Sequence, residues 1–91
     1  MLHGIKLNLV FCDAVYDGTK TFEVRQNDRD YQKGDYIEFI PVSDLGAMAM
    51  HPIYEKIYVI TYVLTGWGIE PGYCVFAIKE FGNKRDCRDL K

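Results

Sequence analysis

Five strand-like runs stand against one helical run in these 91 residues, and that ratio limits the fold more than any other feature. "IKL" at 5–7, "TFEVRQ" at 21–26, "DYIEFIPV" at 35–42, "EKIYVITYVL" at 55–64 and "YCVFAIKEF" at 73–81 are β-branched and aromatic. Clusters of Gly, Pro, Asn and Asp separate most of them. Only "LVFCDAVYD" at 9–17 carries a helical stripe, with Phe11, Ala14 and Val15 at i, i+3 and i+4. Asn8 in front of it fits an N-cap, and Gly18 behind it suits a left-handed stop. The chain is too short for a second core. One domain over 1–81 is therefore expected, with 82–91, "GNKRDCRDLK", as a polar, flexible tail. The order β-α-β-β-loop-β-β predicts an α+β, mainly β fold. It is a small barrel of about five strands, with the one helix near the N-terminus closing a cleft.

Alternation along Thr21–Gln26 puts Phe22 and Val24 on one face and Thr21, Glu23 and Arg25 on the other. "NDRD" at 27–30 and "QKGD" at 32–35 are turn chemistry, because Asn and Asp bond their own backbone. Pro41 closes the strand that contains it or sets that strand at an edge. "SDLGAMAMHP" at 43–52 reads as a loop with a short helical turn, and "TGWGIEPG" at 65–72 as a glycine-rich turn. The continuous apolar run 55–64 predicts burial on both faces, with Tyr58 and Tyr62 in the core.

Composition excludes several classes of function. No apolar run approaches the ~20 residues of a membrane helix, and the start "MLHGIKLNLVF" lacks the layout of a signal peptide. A cytoplasmic protein with no membrane partner is expected. Cys12, Cys74 and Cys87 form neither a disulfide framework nor a CxxC knuckle, and read as reduced thiols. His3 and His51 are far apart with no paired cysteine, so neither a metal nor a cofactor is expected. His51 reads as a surface side chain, while His3 shares a motif-like segment with Lys6. A net charge of −2 argues against a broad, salt-sensitive polyanion surface. Only the end of the chain is net basic, through Lys79, Lys84, Arg85, Arg88 and Lys91.

Charge concentrates instead in Gly18-Thr-Lys20-Thr-Phe-Glu23-Val-Arg25, and continues through Asn27, Asp28 and Arg29. Gly18 stops the helix, Lys20 stands at the mouth of the strand, and Glu23 and Arg25 project from one face. A carboxylate between two cations stays ionised, and the planar fork of Arg25 suits a phosphate or a base edge. A groove so lined fits a small polar or nucleotide-like ligand. On a solvated strand face the same residues would be only favourable neighbours, worth a few tenths of a kcal/mol. Trp67, between two glycines, could stack on a base beside such a cleft or cover the end of the barrel.

The Gly-x-Lys-x-x-Glu-x-Arg spacing at 18–25 resembles the signature of ASCH domains, a branch of the PUA-like superfamily. The chain is more similar still to an uncharacterised ASCH-like family common in bacteria and their phages. That similarity rests on His3-x-x-Lys6, on "KTFEVRQNDRDYQKGD" at 20–35 and on "ITYVLTGWGIEPGY" at 60–73. The loop 44–55 departs from the family pattern. The resemblance implies a PUA-like β-barrel whose cleft is lined by Lys20, Glu23 and Arg25 and extended by Asn27, Asp28 and Arg29. It also implies an RNA-binding module, or one that takes a nucleotide-like small molecule, with a protein partner as a further option. An alternative is a small hydrolase of amidohydrolase or ribonuclease type, acting on modified nucleosides or RNA, with Lys20 and Glu23 catalytic. Related deacylases of acetylcytidine use a lysine that Lys20 matches and a threonine whose place Glu23 takes. A hydroxyl-based mechanism does not carry over to a carboxylate.

Overall fold

The computed structural model describes residues 1–87. Strand β1, Leu2–Asn8, leads directly into helix α1, Leu9–Asp17. Strands β2, Phe22–Gln26, and β3, Tyr36–Val42, follow. A 3-10 turn at Pro52–Glu55 precedes β4, Lys56–Leu64, and β5, Tyr73–Asn83, ends in a second 3-10 turn at Lys84–Asp86. The five strands make one mixed sheet in the order β1-β3-β4-β5-β2, curled into a half-barrel with β1 and β2 as its open edges. The expected mainly β fold with one early helix is what the chain adopts. Among the described residues no helix is long and apolar enough to cross a membrane.

The helix ends are set locally. Asn8 Oδ1 accepts the Val10 amide at 2.9 Å, which satisfies one of the first-turn donors that a helix cannot bond itself. Gly18 closes the helix at φ 87°, a conformation costly for any residue with a Cβ. The buried side of α1 is Cys12 and Val15, whereas Phe11, expected in the apolar stripe, is exposed. The core gathers Ile5 and Leu7 of β1, Ile37 and Phe39 of β3, Tyr58 and Ile60 of β4, and Cys74, Phe76 and Ile78 of β5. Burial pushes the thiols of Cys12 and Cys74 up, which keeps both as unreactive thiols.

β1 is longer than the expected 5–7 and pairs in parallel with β3, Leu2 facing Tyr36 and Asn8 facing Val42. β3 is thus an interior strand and still holds Pro41. The Tyr36 amide donates to Met1 O, so the even residues of β3 face β1 and Pro41 faces the other side. There the pairing with β4 covers only Tyr36–Glu38, so the missing N–H of Pro41 leaves no ladder bond unmade.

β4 is not buried on both faces as its composition suggested. A bulge between Ile60 and Tyr62 inserts Thr61 and reverses the alternation. Tyr58 and Tyr62 would share a face in a regular strand. Instead Tyr58 is buried and Tyr62 is 61% exposed.

The boundary expected at residue 81 also moves, since β5 continues to Asn83. Lys84 then packs over the Tyr54 ring at 3.4 Å and lies 3.5 Å from Glu38 Oε2. Of the expected tail, Arg88 and Lys91 lie outside the described residues.

Candidate functional site at the open seam

The seam between β1 and β2 is defined by backbone direction. Because odd residues of β1 bond β3, Gly4 and Lys6 turn their amide and carbonyl groups away from the sheet. On β2, the Ile78 amide donates to Thr21 O and the Asn27 amide to Gly72 O. Odd residues therefore face β5, and Phe22, Val24 and Gln26 turn theirs to the open edge. Two strand edges thus confront each other without a ladder between them, each offering hydrogen-bonding groups.

Arg25 spans the gap. Its Nη2 donates to Lys6 O on β1 at 2.7 Å and its Nε to Glu23 Oε2 at 2.9 Å. Glu23 is buried, 3% exposed, and its other oxygen accepts from Lys20 Nζ at 2.6 Å. Lys20 also donates to Phe22 O at 2.7 Å and lies over the rings of Phe22 and Phe11, 4.9 and 5.3 Å from their centroids. The end of α1 fixes where Lys20 starts, because its amide donates to Ala14 O at 2.9 Å. A buried carboxylate between two cations is stable only when both are held close. Here helix end and strand face supply one cation each.

Two hollows flank the Arg25 bridge. One, about 520 Å³, is lined by Lys6, Phe11, Lys20, Phe22, Glu23 and Arg25 among others. The other, about 490 Å³, has walls of Gly4 and Lys6 on β1 and Val24 and Gln26 on β2, with Arg25, Asp28, Arg29, Tyr31 and Tyr73 completing it. Lys20, Glu23, Arg25 and Arg29 therefore come together along one seam.

Asn27 plays another part. Its Oδ1 accepts the Tyr31 amide at 3.1 Å, its own amide is bonded to Gly72 O, and it lines neither hollow. Trp67 does not reach the seam either. It stands 92% exposed with φ 53° between Gly66 and Gly68, so it neither lines a hollow nor covers the barrel end.

Tyr31 escaped sequence reasoning. It is buried beneath the second hollow, its ring 4.9 Å from His3 and 4.8 Å from Phe76. Burial raises its hydroxyl pKa, against the opposing pull of the Arg29 and Arg25 charges. Its place directly after "NDRD" was the available signal. The spacing of Phe11 fits a buried stripe and points to the core, and the Lys6 carbonyl, as backbone, has no signal in side chains at all.

The two histidines are structural. His3 is buried and its Nε2 donates to Asp35 Oδ2 at 2.8 Å. Burial alone would raise the Asp35 pKa. Hydrogen bonds from His3, the Gln32 amide and the Met1 amino group outweigh it and hold this carboxyl below its ordinary value. His51 is tucked in rather than on the surface. Its Nδ1 accepts the Ile53 amide at 3.0 Å, so Nε2 carries the proton donated to Asp13 Oδ1 at 2.8 Å. Among the described residues no three His, Cys, Asp or Glu side chains cluster as a metal site.

The site can hold an anionic or strongly polar guest. Of three ammonium donors on Lys20, two are engaged, and the Nη1 donors of Arg25 have no protein acceptor among the described residues. Comparison with curated proteins yields no match. A family model described as a domain of unknown function (DUF3850) matches residues 2–78, from the start of β1 to within β5, and the chain belongs to that family.

Proposed function

We propose that this chain is a binding module for RNA or a nucleotide-like molecule, held in the seam between β1 and β2. The observation that carries this reading is the Arg25 bridge. A guanidinium spans two unpaired strand edges, with a hollow of about 490 Å³ on one side and about 520 Å³ on the other. Volumes of this size suit a small ligand. Lys20, Arg25 and Arg29 supply charge for a phosphate, and the open-edge groups of Gly4, Val24 and Gln26, with the Lys6 amide, supply donors and acceptors for a polar ring. The acidic whole-chain balance makes the contact local, so salt dependence reflects a few phosphates at most.

A hydrolytic role for the same site has less support, because Glu23 would have to accept a proton while both its oxygens are engaged by Lys20 and Arg25. Fluorescence anisotropy with short labelled RNAs at low ionic strength tests the binding role. Lys20→Ala and Arg29→Ala should each weaken binding about tenfold, ~1.4 kcal/mol. Failure of every RNA and mononucleotide to bind the folded protein would remove this function.

A further inference from the structure

The two hollows beside Arg25 adjoin, because Lys6, Val24 and Arg25 line both. Lys20 lines only the first and Arg29 only the second, so cations alternate with space along the seam. At about 520 and 490 Å³, each hollow alone falls within the ~300–1,000 Å³ of a small-ligand site. The Nη1 donors of Arg25 and the Tyr31 hydroxyl meet no protein partner among the described residues. Tyr31 is otherwise buried, 3% exposed. The charges of Arg29, Arg25 and Asp28 all act on its hydroxyl, which sets that group at the second hollow, lined by the same three residues. Unspent donors thus stand both at the boundary between the hollows and inside one of them.

We infer that the seam takes a dinucleotide step of a single strand, with one nucleoside in each hollow and the phosphodiester between them on Arg25. This rests on the nucleic-acid reading above and adds the length and strandedness of the ligand. Two hollows divided by a cation suit a guest of two bodies joined by an anion. A lone nucleotide fills one hollow and leaves the other to water. The phosphates on either side of the step then meet Lys20 and Arg29, in keeping with a strand's repeat of phosphate and nucleoside. Two nucleosides joined 5′ to 5′ through a pyrophosphate concentrate their charge at the centre and leave both outer cations unused. A duplex does not fit, because its bases stay paired and stacked, whereas separate hollows need bases that splay apart. The linings agree. Phe11 and Phe22, each 46% exposed, give the first hollow a ring wall. In the second, the Asp28 carboxylate accepts only, so it suits a base N–H and keeps phosphate to the boundaries.

Isothermal titration of the intact chain at low ionic strength, with adenosine and uridine oligonucleotides one to six units long, reads the length directly. Affinity should rise at least about tenfold from mononucleotide to dinucleotide, because the second nucleoside binds from a tethered position. From two units to six it should rise no more than about fivefold, the gain from the extra registers a longer strand offers. A neutral methylphosphonate in place of the central phosphodiester should weaken the dinucleotide about tenfold, since it removes the charge that Arg25 meets. Arg29→Ala changes an exposed turn residue, so circular dichroism should match the parent. It should abolish the gain from a phosphate at one end of the dinucleotide and keep the gain at the other. Mononucleotides that bind as tightly as dinucleotides overturn the inference and leave the nucleic-acid reading standing. So does affinity that climbs steadily through six units, or indifference to the methylphosphonate. Nicotinamide adenine dinucleotide bound as tightly as the strand overturns it in favour of a 5′–5′ ligand. No binding by any member of the series removes the nucleic-acid reading and the dinucleotide step together.

Discussion

Glu23 and Asp35 stand near opposite ends of one charged stretch, and each carboxylate gathers several donors. Glu23 holds Lys20 and Arg25, while Asp35 holds His3, the Gln32 amide and the Met1 amino group. The difference lies in what the partners have left over. Around Asp35 the donors come from a buried ring, a turn amide and the chain's first residue, and no hollow described above includes them. Around Glu23 both partners are flexible cations with donors to spare, beside space on two sides. A satisfied carboxylate thus marks structure in one place and a candidate site in the other. Charge density alone does not distinguish them; unspent donors beside a void do.

The largest break in that comparison should come from Glu23→Gln. Removing the buried charge leaves Lys20 and Arg25 without their counter-ion, and breaking a buried pair from one side typically costs 3–5 kcal/mol. Both cations are partly exposed and can turn toward water, so about 3 kcal/mol is expected from urea unfolding. A loss below about 1 kcal/mol would mean that Glu23 is not the organising anion of the seam.

Arg25→Ala comes next. It removes one charge-assisted bond to Glu23 and the bond to Lys6 O, for a loss of about 2 kcal/mol. It should also speed hydrogen exchange of the Ile5 and Leu7 amides, whose bonds to β3 open more often once β1 loses its tether across the seam. Arg25→Lys should restore part of the stability, because an ammonium can reach Glu23 or Lys6 O but lacks the fork that reaches both. Equal protection of those amides in parent and alanine variant would show that Arg25 does not close the seam.

Asp35→Asn sharpens the other half through pH. The folded pKa of Asp35 lies below its unfolded value of about 3.9. Its contribution is therefore fully present above that value and is lost as pH falls through the folded pKa. The stability gap between parent and Asp35→Asn should be about 1 kcal/mol near pH 5, as expected of a hydrogen-bonded, largely buried carboxylate. It should shrink below about pH 4. A gap that widens in acid would reverse the assigned sign.

Much of this was legible along the chain and little of it across the sheet. The helix ends could be read because Asn8 and Gly18 act on backbone groups only a few residues away. The Lys20–Glu23–Arg25 cluster could be read because a strand's period of two puts Glu23 and Arg25 on one face. The parallel pairing of β1 with β3 could not, since it joins segments separated by the whole of α1 and β2. Nor could the fate of Tyr62, which depends on one extra residue opposite β5, a feature of two strands and not of one. The Arg25 bridge was hidden for a third reason: its acceptor is the carbonyl of Lys6, and the side chain of Lys6 says nothing about that oxygen.

The smallest expected effect belongs to Asn27, which lies between the two carboxylates in sequence and so asks to which region it belongs. Its side chain accepts the Tyr31 amide and lines neither hollow. Asn27→Ala should cost about 1 kcal/mol, the usual loss for a side chain that satisfies a backbone donor at a turn. Ligand affinity at saturating folded protein should stay within about twofold, under half a kcal/mol. Asn27→Asp keeps the acceptor oxygen and should recover most of the stability while adding a negative charge next to Asp28. Affinity lost in Asn27→Asp but not in Asn27→Ala would then measure how closely an anionic guest approaches this turn. Affinity lost equally in both would move Asn27 into the binding surface, and the line between structural and functional halves of the charged stretch would have to be drawn after it.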